Sequence, residues 1–465
     1  MSNAQAQAAP TMKKSAPWLF FFTMLFQIAG GTIAGQYLTF YMTSRMLITA
    51  TVMGAVLMTT RIADLIVGIL SGVVVQRVQF KPGQYRFWLF WGPLTVSIGT
   101  TMMFINPSIF PMWAKIMLVW VGYLLYGSGM SFIQLSQNGT VAKFAGASME
   151  NRIALTSRLA QGQRTGTIIT AAITMPLVLN FDRFGVDGYK IMQYIYATIG
   201  FFGQLILYFG AKEIDVYNPN FKAQTGGPGI GHMIFSTLKN PQLIVLLVCD
   251  IMRMGSAMIL MSMAMYYFSD IIHVPMMMAT SLTIQSFLGW GCSFIAPTIA
   301  KRIGKKNSAI VSGLTAITGY LGMALLSMRG PVYYIVTNSF AIAGSTLIGA
   351  VGVNLYLDCG EYQLYTSGID NRTFVMSIFG VSIKFSFIVT SFVSAVILNL
   401  AGYNAHMADP IADPHRFILF LGGIPAALQL LYTLGMGFFY KLTEEKAKEY
   451  AAINHERAQQ NRATT

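Results

Sequence analysis

The chain has 465 residues, of which 54% are apolar and only 10% are Asp, Glu, Lys or Arg. A soluble globular protein carries about a quarter charged residues, so the composition excludes that class, and its apolar character also excludes intrinsic disorder. The 31 basic and 17 acidic residues leave a net charge of +14. In so apolar a chain we expect this excess beside a membrane, on the cytoplasmic side, and not on a nucleic acid-binding surface.

Apolar runs of membrane-spanning length recur along the whole chain. A transmembrane helix needs about 20 mostly apolar residues, and the first run is too long for the core of a signal peptide. Cutting the chain at charged, Pro/Gly-rich and Asn-rich breaks predicts twelve spans: 17–42, 50–75, 87–105, 113–138, 157–180, 190–211, 241–268, 277–300, 307–328, 331–357, 374–400 and 416–440. Because a helix satisfies every backbone group within its own segment, an all-α membrane protein follows.

The basic residues predict the orientation of these spans. With the N-terminus inside, twenty of the basic residues flanking the spans lie on the cytoplasmic side. Only six lie on the opposite side: Arg45, Lys115, Arg183, Lys190, Arg329 and Arg416. Positive residues are retained inside, so we expect both termini in the cytoplasm and the protein in a bacterial inner membrane.

The middle of the chain separates two halves. The longest polar stretch, residues 212–240, contains a Gly-Gly-Pro-Gly core and has six predicted spans on each side. Transporters built from repeated six-helix units show this organisation and bind substrate near mid-membrane between the halves. The expected division is a tail, a six-helix bundle, a linker, a second bundle and a tail, at 1–16, 17–211, 212–240, 241–440 and 441–465.

Besides Lys115, Lys190 and Arg416 at the span starts, which are counted above on the outer side, seven charged residues fall inside predicted spans, where a charge costs at least about 2.5–3.5 kcal/mol and needs a partner or a wet cavity. They are Arg61, Asp64, Arg158, Arg164, Asp250, Arg253 and Lys384. Five positive and two negative charges favour a ligand that carries negative charge, such as a sugar acid.

Four of these seven residues form two pairs of opposite charge. The members of each pair are three residues apart, which places them on one helix face. Arg61 with Asp64, and Asp250 with Arg253, therefore form either structural salt bridges or functional groups. All five histidines lie outside the predicted spans. A proton relay within the spans must then use a carboxylate, and we predict that Asp64 binds the coupling proton or cation.

The remaining charges are candidates for substrate binding. Arg158 either snorkels to the cytoplasmic end or binds substrate, whereas Arg164 lies about 9 Å further along the helix, too deep to snorkel easily. Lys384 is expected at mid-membrane. Gln134 and Asn138, which recur with Gln137 at helical spacing, either bind sugar hydroxyls or join helices.

Three segments resemble the glycoside–pentoside–hexuronide cation symporters, the melibiose-carrier branch of the major facilitator superfamily. The first is RIADLIVGILSGVVVQRVQFKPGQYRFW at 61–88, which matches the family pattern at Arg61, Asp64, Gly72, Arg77, Gly83, Arg86 and Trp88. The second is LDCGEYQLYTSGIDNR followed by Lys384, similar to the family's Asp-x-Gly-Glu-Tyr loop and eleventh-span lysine. The third, NRIALTSR at 151–158, is similar to the start of the fifth helix.

The resemblance implies a major facilitator fold of two six-helix halves, with Asp64 in a cation site, Arg158 as a sugar ligand and Lys384 in the coupling network. The chain departs from the family at the acids. Gly68 replaces a second aspartate, and the acids of the first and fourth helices fall near Gln27 and Gly129. A single carboxylate is a poor ligand set for a hard cation, which favours a proton over sodium.

We therefore predict symport of a glycoside or a hexuronide-type sugar acid by alternating access. Arg61, Asp250 and Arg253 are assigned to supporting ion pairs, and Asp358 and Glu361 to gate or loop contacts. Alternatives are an uncoupled facilitator or exchanger of the same substrates, or a carrier of lysolipids or organic anions. We expect no enzymatic activity, no metal site and no cofactor besides H⁺ or Na⁺, because hydrolase, Walker and metal motifs are missing from the sequence. The expected state is a monomer in the lipid bilayer.

Overall fold

The computed structural model describes residues 15–105, 110–146, 148–217, 239–368 and 372–463. Twelve long helices follow one another through these residues at the places where the sequence predicts spans. They are α1 (Ala16–Gln36), α2 (Ala50–Arg77), α3 (Arg86–Met103), α4 (Met112–Ala145), α5 (Met149–Arg183), α6 (Gly188–Gly210), α7 (Pro241–Tyr266), α8 (Met276–Ile303), α9 (Lys305–Leu326), α10 (Pro331–Ser367), α11 (Arg372–Leu400) and α12 (Pro414–Leu434). A further helix, α13 (Glu444–Ala463), follows them and is polar.

Ten of these helices in the described part of the chain are both long enough and apolar enough to cross a membrane. The two others among the first twelve, α3 and α8, have sufficient length but are less apolar. The described residues contain two isolated β-bridges and no β-strand. The prediction of an all-α, multi-pass membrane fold is confirmed.

Several helices extend beyond the apolar segments that predicted them. α4 continues to Ala145, α5 begins at Met149, and α10 continues to Ser367. The segment around Asp358 and Glu361, expected as a loop, is therefore helical. A helix ends where the backbone leaves helical φ and ψ, and α10 stops at Gly368, whose φ of 69° is left-handed.

The described residues divide into two compact units. The first contains residues 15–48 and 59–217, and the second contains 49–58 and 239–463, each with the gaps noted above. The start of α2 thus groups with the second unit. Most of the predicted linker, 218–238, lies outside the described residues, as do residues 1–14 of the predicted N-terminal tail.

In the first unit α1 packs directly on the backbones of α5 and α6. Gly162 and Gly166 of α5 face the carbonyl oxygens of Phe21 and Leu25, so that a Cβ at Gly166 would lie only 2.7 Å from the Leu25 oxygen. Small residues permit this close approach in membrane bundles, where lipid supplies no hydrophobic drive for helix association. The face of α5 that carries these glycines is therefore its contact with α1.

The first helix of each six-helix half is followed by the same uncommon turn. After α1 and a short helical segment comes a π-helical turn at Tyr41–Arg45, and α7 is followed by one at Tyr267–Ile271. Each is followed by a non-glycine residue of positive φ, Leu47 at 60° and His273 at 56°. The two turns and the two residues share one offset of 226 positions (41 to 267, and 47 to 273). Such a repeat supports an origin of both halves from one structural unit.

Asp215, shortly after α6, caps the start of α3. Its carboxylate is fully buried and accepts hydrogen bonds from the backbone N–H groups of Gln84 (3.2 Å), Tyr85 (2.7 Å) and Arg86 (2.7 Å). Lys143 at the end of α4 pairs with the same carboxylate. Burial, and then the charge of Asp215, raises the pKa of the Tyr85 phenol. The residues that open the predicted linker are thus part of the first unit.

Candidate functional site

Asp64 and Arg61 lie on the face of α2 that meets α4. A Cβ placed at Gly127 would lie 2.6 Å from Asp64 Oδ1, so the carboxylate rests directly on the backbone of α4. Arg61 Nε donates to the hydroxyl oxygen of Tyr123 at 3.1 Å, and its guanidinium lies 5.8 Å from the centre of that ring. The structure thus holds a carboxylate and a guanidinium one helical turn apart against α4. No pattern in the sequence pointed to Tyr123.

The amides of α4 divide into two groups. Gln137 is buried and donates to Gln27 of α1 at 2.6 Å, and Gln204 of α6 donates to the same Gln27 oxygen at 2.7 Å. These three glutamines join three helices. Gln134 and Asn138 are instead exposed. The spacing left two roles open for these amides. Gln137 forms interhelical hydrogen bonds, whereas Gln134 and Asn138 remain available to a ligand.

The position near Gln27, where the resemblance places an acid, is therefore occupied by an amide network. The fourth-helix acid was expected near Gly129, but a Cβ at Gly129 would meet α3, 2.6 Å from Thr95 Oγ1. The glycine of α4 that faces Asp64 is Gly127. The shift of two residues rotates the position to another side of the helix, since each residue turns it by about 100°.

The two arginines of α5 have different surroundings. The guanidinium of Arg158 lies 4.5 Å from the ring centre of Trp18 in the first turn of α1, and its Nη1 donates to Gln161 Oε1 at 2.9 Å. Arg164 is exposed. The sequence does not single out Trp18 as a partner of Arg158, because an aromatic residue near a span end is also typical of the membrane interface.

In the second unit Asp250 and Arg253 of α7 form an ion pair. Arg253 Nη2 and Nε both lie 2.9 Å from Asp250 Oδ1, and the aspartate is 3% exposed. The hydroxyl of Tyr356 on α10 donates to Asp250 Oδ2 at 2.8 Å and bonds Ser382 of α11 at the same distance. The pair therefore belongs to a network that joins α7, α10 and α11.

Lys384 is half-buried on α11, two residues after Ser382 and two before Ser386. Ser386 Oγ donates to the carbonyl oxygen of Ile251 on α7 at 3.2 Å, and Ser382 bonds Tyr356. Two residues correspond to about 200° around a helix, so Lys384 lies on the side of α11 away from these contacts. The structure does not join Lys384 to the Asp250 network through these serines.

Asp358 and Glu361 make contacts at the end of α10. Lys305 Nζ lies 2.8 Å from both carboxylate oxygens of Asp358. Asn454 of α13 donates to the side chain and to the carbonyl oxygen of Glu361, at 2.9 and 3.0 Å. Both acids are thus bonded to neighbouring helices of the same unit.

Within the described residues no cluster of three or more His, Cys, Asp or Glu side chains could hold a metal ion. The polar groups inside the helices instead suit proton binding, hydrogen bonding to hydroxyls and pairing with an anion. Together with the multi-pass helical fold, they define a membrane transporter.

The chain belongs to the MFS/sugar transport protein family, whose family model matches residues 20–444. It is 24% identical over 419 residues to the putative sulfoquinovose importer of Salmonella typhimurium, covering 87% of this chain and 83% of that protein. It is 21% identical over 398 residues to the glucuronide carrier protein homolog of Escherichia coli, covering 85% of each. The resemblance to the glycoside–pentoside–hexuronide symporters is confirmed.

A solved structure shares the fold. The crystal structure of a D-xylose-proton symporter matches 92% of this chain and 98% of its own, with a TM-score of 0.68 and 13% sequence identity. At this identity the likeness shows the fold alone, which is the major facilitator fold predicted from the sequence.

Proposed function

We propose that this protein is a proton-coupled symporter of a sugar, working by alternating access. The observation that carries the proposal is the placement of Asp64, an acid within an apolar helix, against Gly127 of α4. A carboxylate at bilayer depth is costly, and acids retained there mark ion pathways and proton relays. Binding of proton and substrate to the same state would couple the downhill movement of one to the uphill movement of the other.

The groups around Asp64 favour a proton over sodium. The position four residues further along α2 is Gly68, and the facing residue of α4 is Gly127. Neither supplies a side-chain oxygen, whereas a hard cation is held by several oxygens. One carboxylate is sufficient to bind and release a proton.

A sugar substrate is supported by the names of the two relatives, an importer of sulfoquinovose and a glucuronide carrier homolog. The exposed amides Gln134 and Asn138 have donors and acceptors that suit sugar hydroxyls. We assign them, with Lys384, to substrate binding. We further propose that the protein acts as a monomer in a bacterial inner membrane. We expect both termini in the cytoplasm, because basic residues are concentrated on that side of the predicted spans.

The same residues favour one alternative, an uncoupled facilitator or exchanger. The second acid of the family's cation site is Gly68 here, and a carrier without a coupling ion needs no such acid. The two functions differ in whether an imposed pH gradient drives accumulation.

The test is uptake of labelled glycosides and hexuronides into proteoliposomes with and without an imposed pH gradient. We expect the gradient to drive accumulation by the wild-type protein. The Asp64→Asn variant should lose this accumulation but retain exchange of substrate across the membrane, because its site no longer takes up a proton. A matched control is Asp409→Asn, since the Asp409 side chain is 83% exposed in a loop. Accumulation by Asp64→Asn at the wild-type level would refute the coupling role.

A further inference from the structure

The two arginines of α5 lie only six residues apart, but they do not have equivalent partners. Arg158 stacks on Trp18 and donates to Gln161, so its guanidinium is already used in contacts within the first unit. Arg164 has no hydrogen bond or ion pair to any residue that the structure describes. Its side chain is exposed, as are those of the neighbouring Gln161 and Gln163.

Packing of α5 determines which way Arg164 faces. Gly162 and Gly166 press against the α1 carbonyl oxygens of Phe21 and Leu25. Arg164 is two residues from each glycine, which is about 200° around the helix. The guanidinium is therefore on the face of α5 opposite its contact with α1, together with exposed amides.

Arg164 lies within the predicted span 157–180 and not at either of its ends. It is about 10 Å from the first residue of that span and about 24 Å from the last, at 1.5 Å per residue. An arginine side chain cannot reach the interface easily from such a depth, and a charge facing lipid there is costly. The face that carries Arg164 must then be in contact with water or with a polar ligand.

The four aspartates of the first unit have other contacts, Glu213 has an interaction of its own, and Glu150 lies about 21 Å from Arg164 along the same helix. Asp182 pairs with Arg45, Asp215 pairs with Lys143, and Asp187 accepts from Tyr41. Asp64 rests on Gly127. The positive charge of Arg164 is thus left for a ligand from solution, and a guanidinium binds carboxylate or sulfonate groups through paired, charge-assisted hydrogen bonds.

We propose that Arg164 binds the anionic group of the substrate and makes the transporter selective for sugar acids over neutral sugars. Arg158 instead fixes α5 to the start of α1. This inference rests on the proposed function as a sugar transporter and specifies the class of sugar. It also separates two residues that the sequence assigned to one role.

The test compares two probes that differ only at C6, methyl β-D-glucuronide and methyl β-D-glucoside. Uptake of each into proteoliposomes gives a preference ratio for every variant. We expect wild-type protein to prefer the glucuronide and the ratio to fall by about tenfold or more in Arg164→Gln, through loss of a charged hydrogen bond. Arg164→Lys should keep part of the preference. Arg152→Gln, the same change at an exposed arginine near the start of α5, should leave the ratio unchanged.

The outcomes separate this inference from the proposed function. Wild-type protein that takes up neither glycoside overturns both. Wild-type protein that takes up both equally, or an Arg164→Gln variant that keeps the full preference, overturns the inference alone. Loss of the preference in Arg158→Gln but not in Arg164→Gln would also overturn it, by reversing the two assignments. Thermal unfolding of each purified variant confirms that it is folded.

Discussion

Asp64 rests on the backbone of a neighbouring helix, and this contact depends on the missing side chain of Gly127. The distance from a Cβ at that position to the carboxylate oxygen would be 2.6 Å, and to Asp64 Cβ 3.2 Å. No real Cβ approaches so closely, so any larger residue must displace the acid. At the scale of single residues, a glycine therefore positions the proposed proton site.

The Gly127→Ala substitution tests this contact. We expect proton-driven uptake to fall by about tenfold or more, because moving a reacting group by about 1 Å commonly costs that much. The matched control is Gly72→Ala on α2, where a Cβ meets nothing within 4 Å. Both substitutions favour the helix by the same amount, about 1 kcal/mol, so a difference in uptake between the two variants reports the contact with Asp64. Wild-type uptake by Gly127→Ala would show that the carboxylate tolerates displacement.

At the scale of elements, α13 is a helix that docks on the end of α10. Tyr450 stacks on Tyr365 with ring centres 4.5 Å apart, and Arg457 Nη1 donates to the Tyr365 carbonyl oxygen at 3.1 Å. Asn454 is 7% exposed and bonds Glu361. These positions follow a spacing of four and three residues, which places them on one face of α13. A segment expected only as a cytoplasmic tail is thus packed against the second unit.

Removing the buried amide tests how firmly α13 is docked. In Asn454→Ala the two hydrogen bonds to Glu361 are lost, which costs about 1–3 kcal/mol. We expect backbone amides of residues 444–457 to exchange with deuterium faster than in the wild-type protein, as measured by mass spectrometry. His455→Ala is the control, because His455 is exposed on the same helix. Equal exchange in the two variants would mean that the contacts with Glu361 do not hold the helix.

The whole molecule is organised by the distribution of its positive charge and by its internal repeat. Twenty flanking basic residues against six predict the orientation, and the repeated π-helical turn marks the end of the first helix in each half. On this prediction residues 184–187, between α5 and α6, lie on the outer side of the membrane. The same prediction places the terminal helix α13 on the cytoplasmic side.

The orientation is tested by cysteine labelling in intact cells. In a background with Cys249, Cys292 and Cys359 replaced by alanine, Phe184→Cys and Thr465→Cys are exposed to a membrane-impermeant thiol reagent. We expect labelling of the first, at a residue 75% exposed, and labelling of the second only after permeabilisation. Transport assays on the alanine background control for its folding. The opposite pattern of labelling would invert the proposed topology.

The sequence by itself determined the class of the protein, its family and the positions of its spans. Apolar character summed over about 20 residues is a local property, and it predicts a membrane helix whatever the helix later contacts. The seven charges inside spans were evident for the same reason. Helix ends were less predictable, because α4, α5 and α10 continue through polar residues until the backbone is interrupted.

Only the tertiary structure decided which polar side chains are used internally. Gln137 and Gln134 are three residues apart, yet the first bonds Gln27 and the second is exposed. Arg158 has Trp18 while Arg164 has an open face, and Gly127 rather than Gly129 meets Asp64. Each residue turns a helix by about 100°, so a partner depends on the rotation and approach of a helix distant in sequence. That information lies in the packing between helices, not in any single segment.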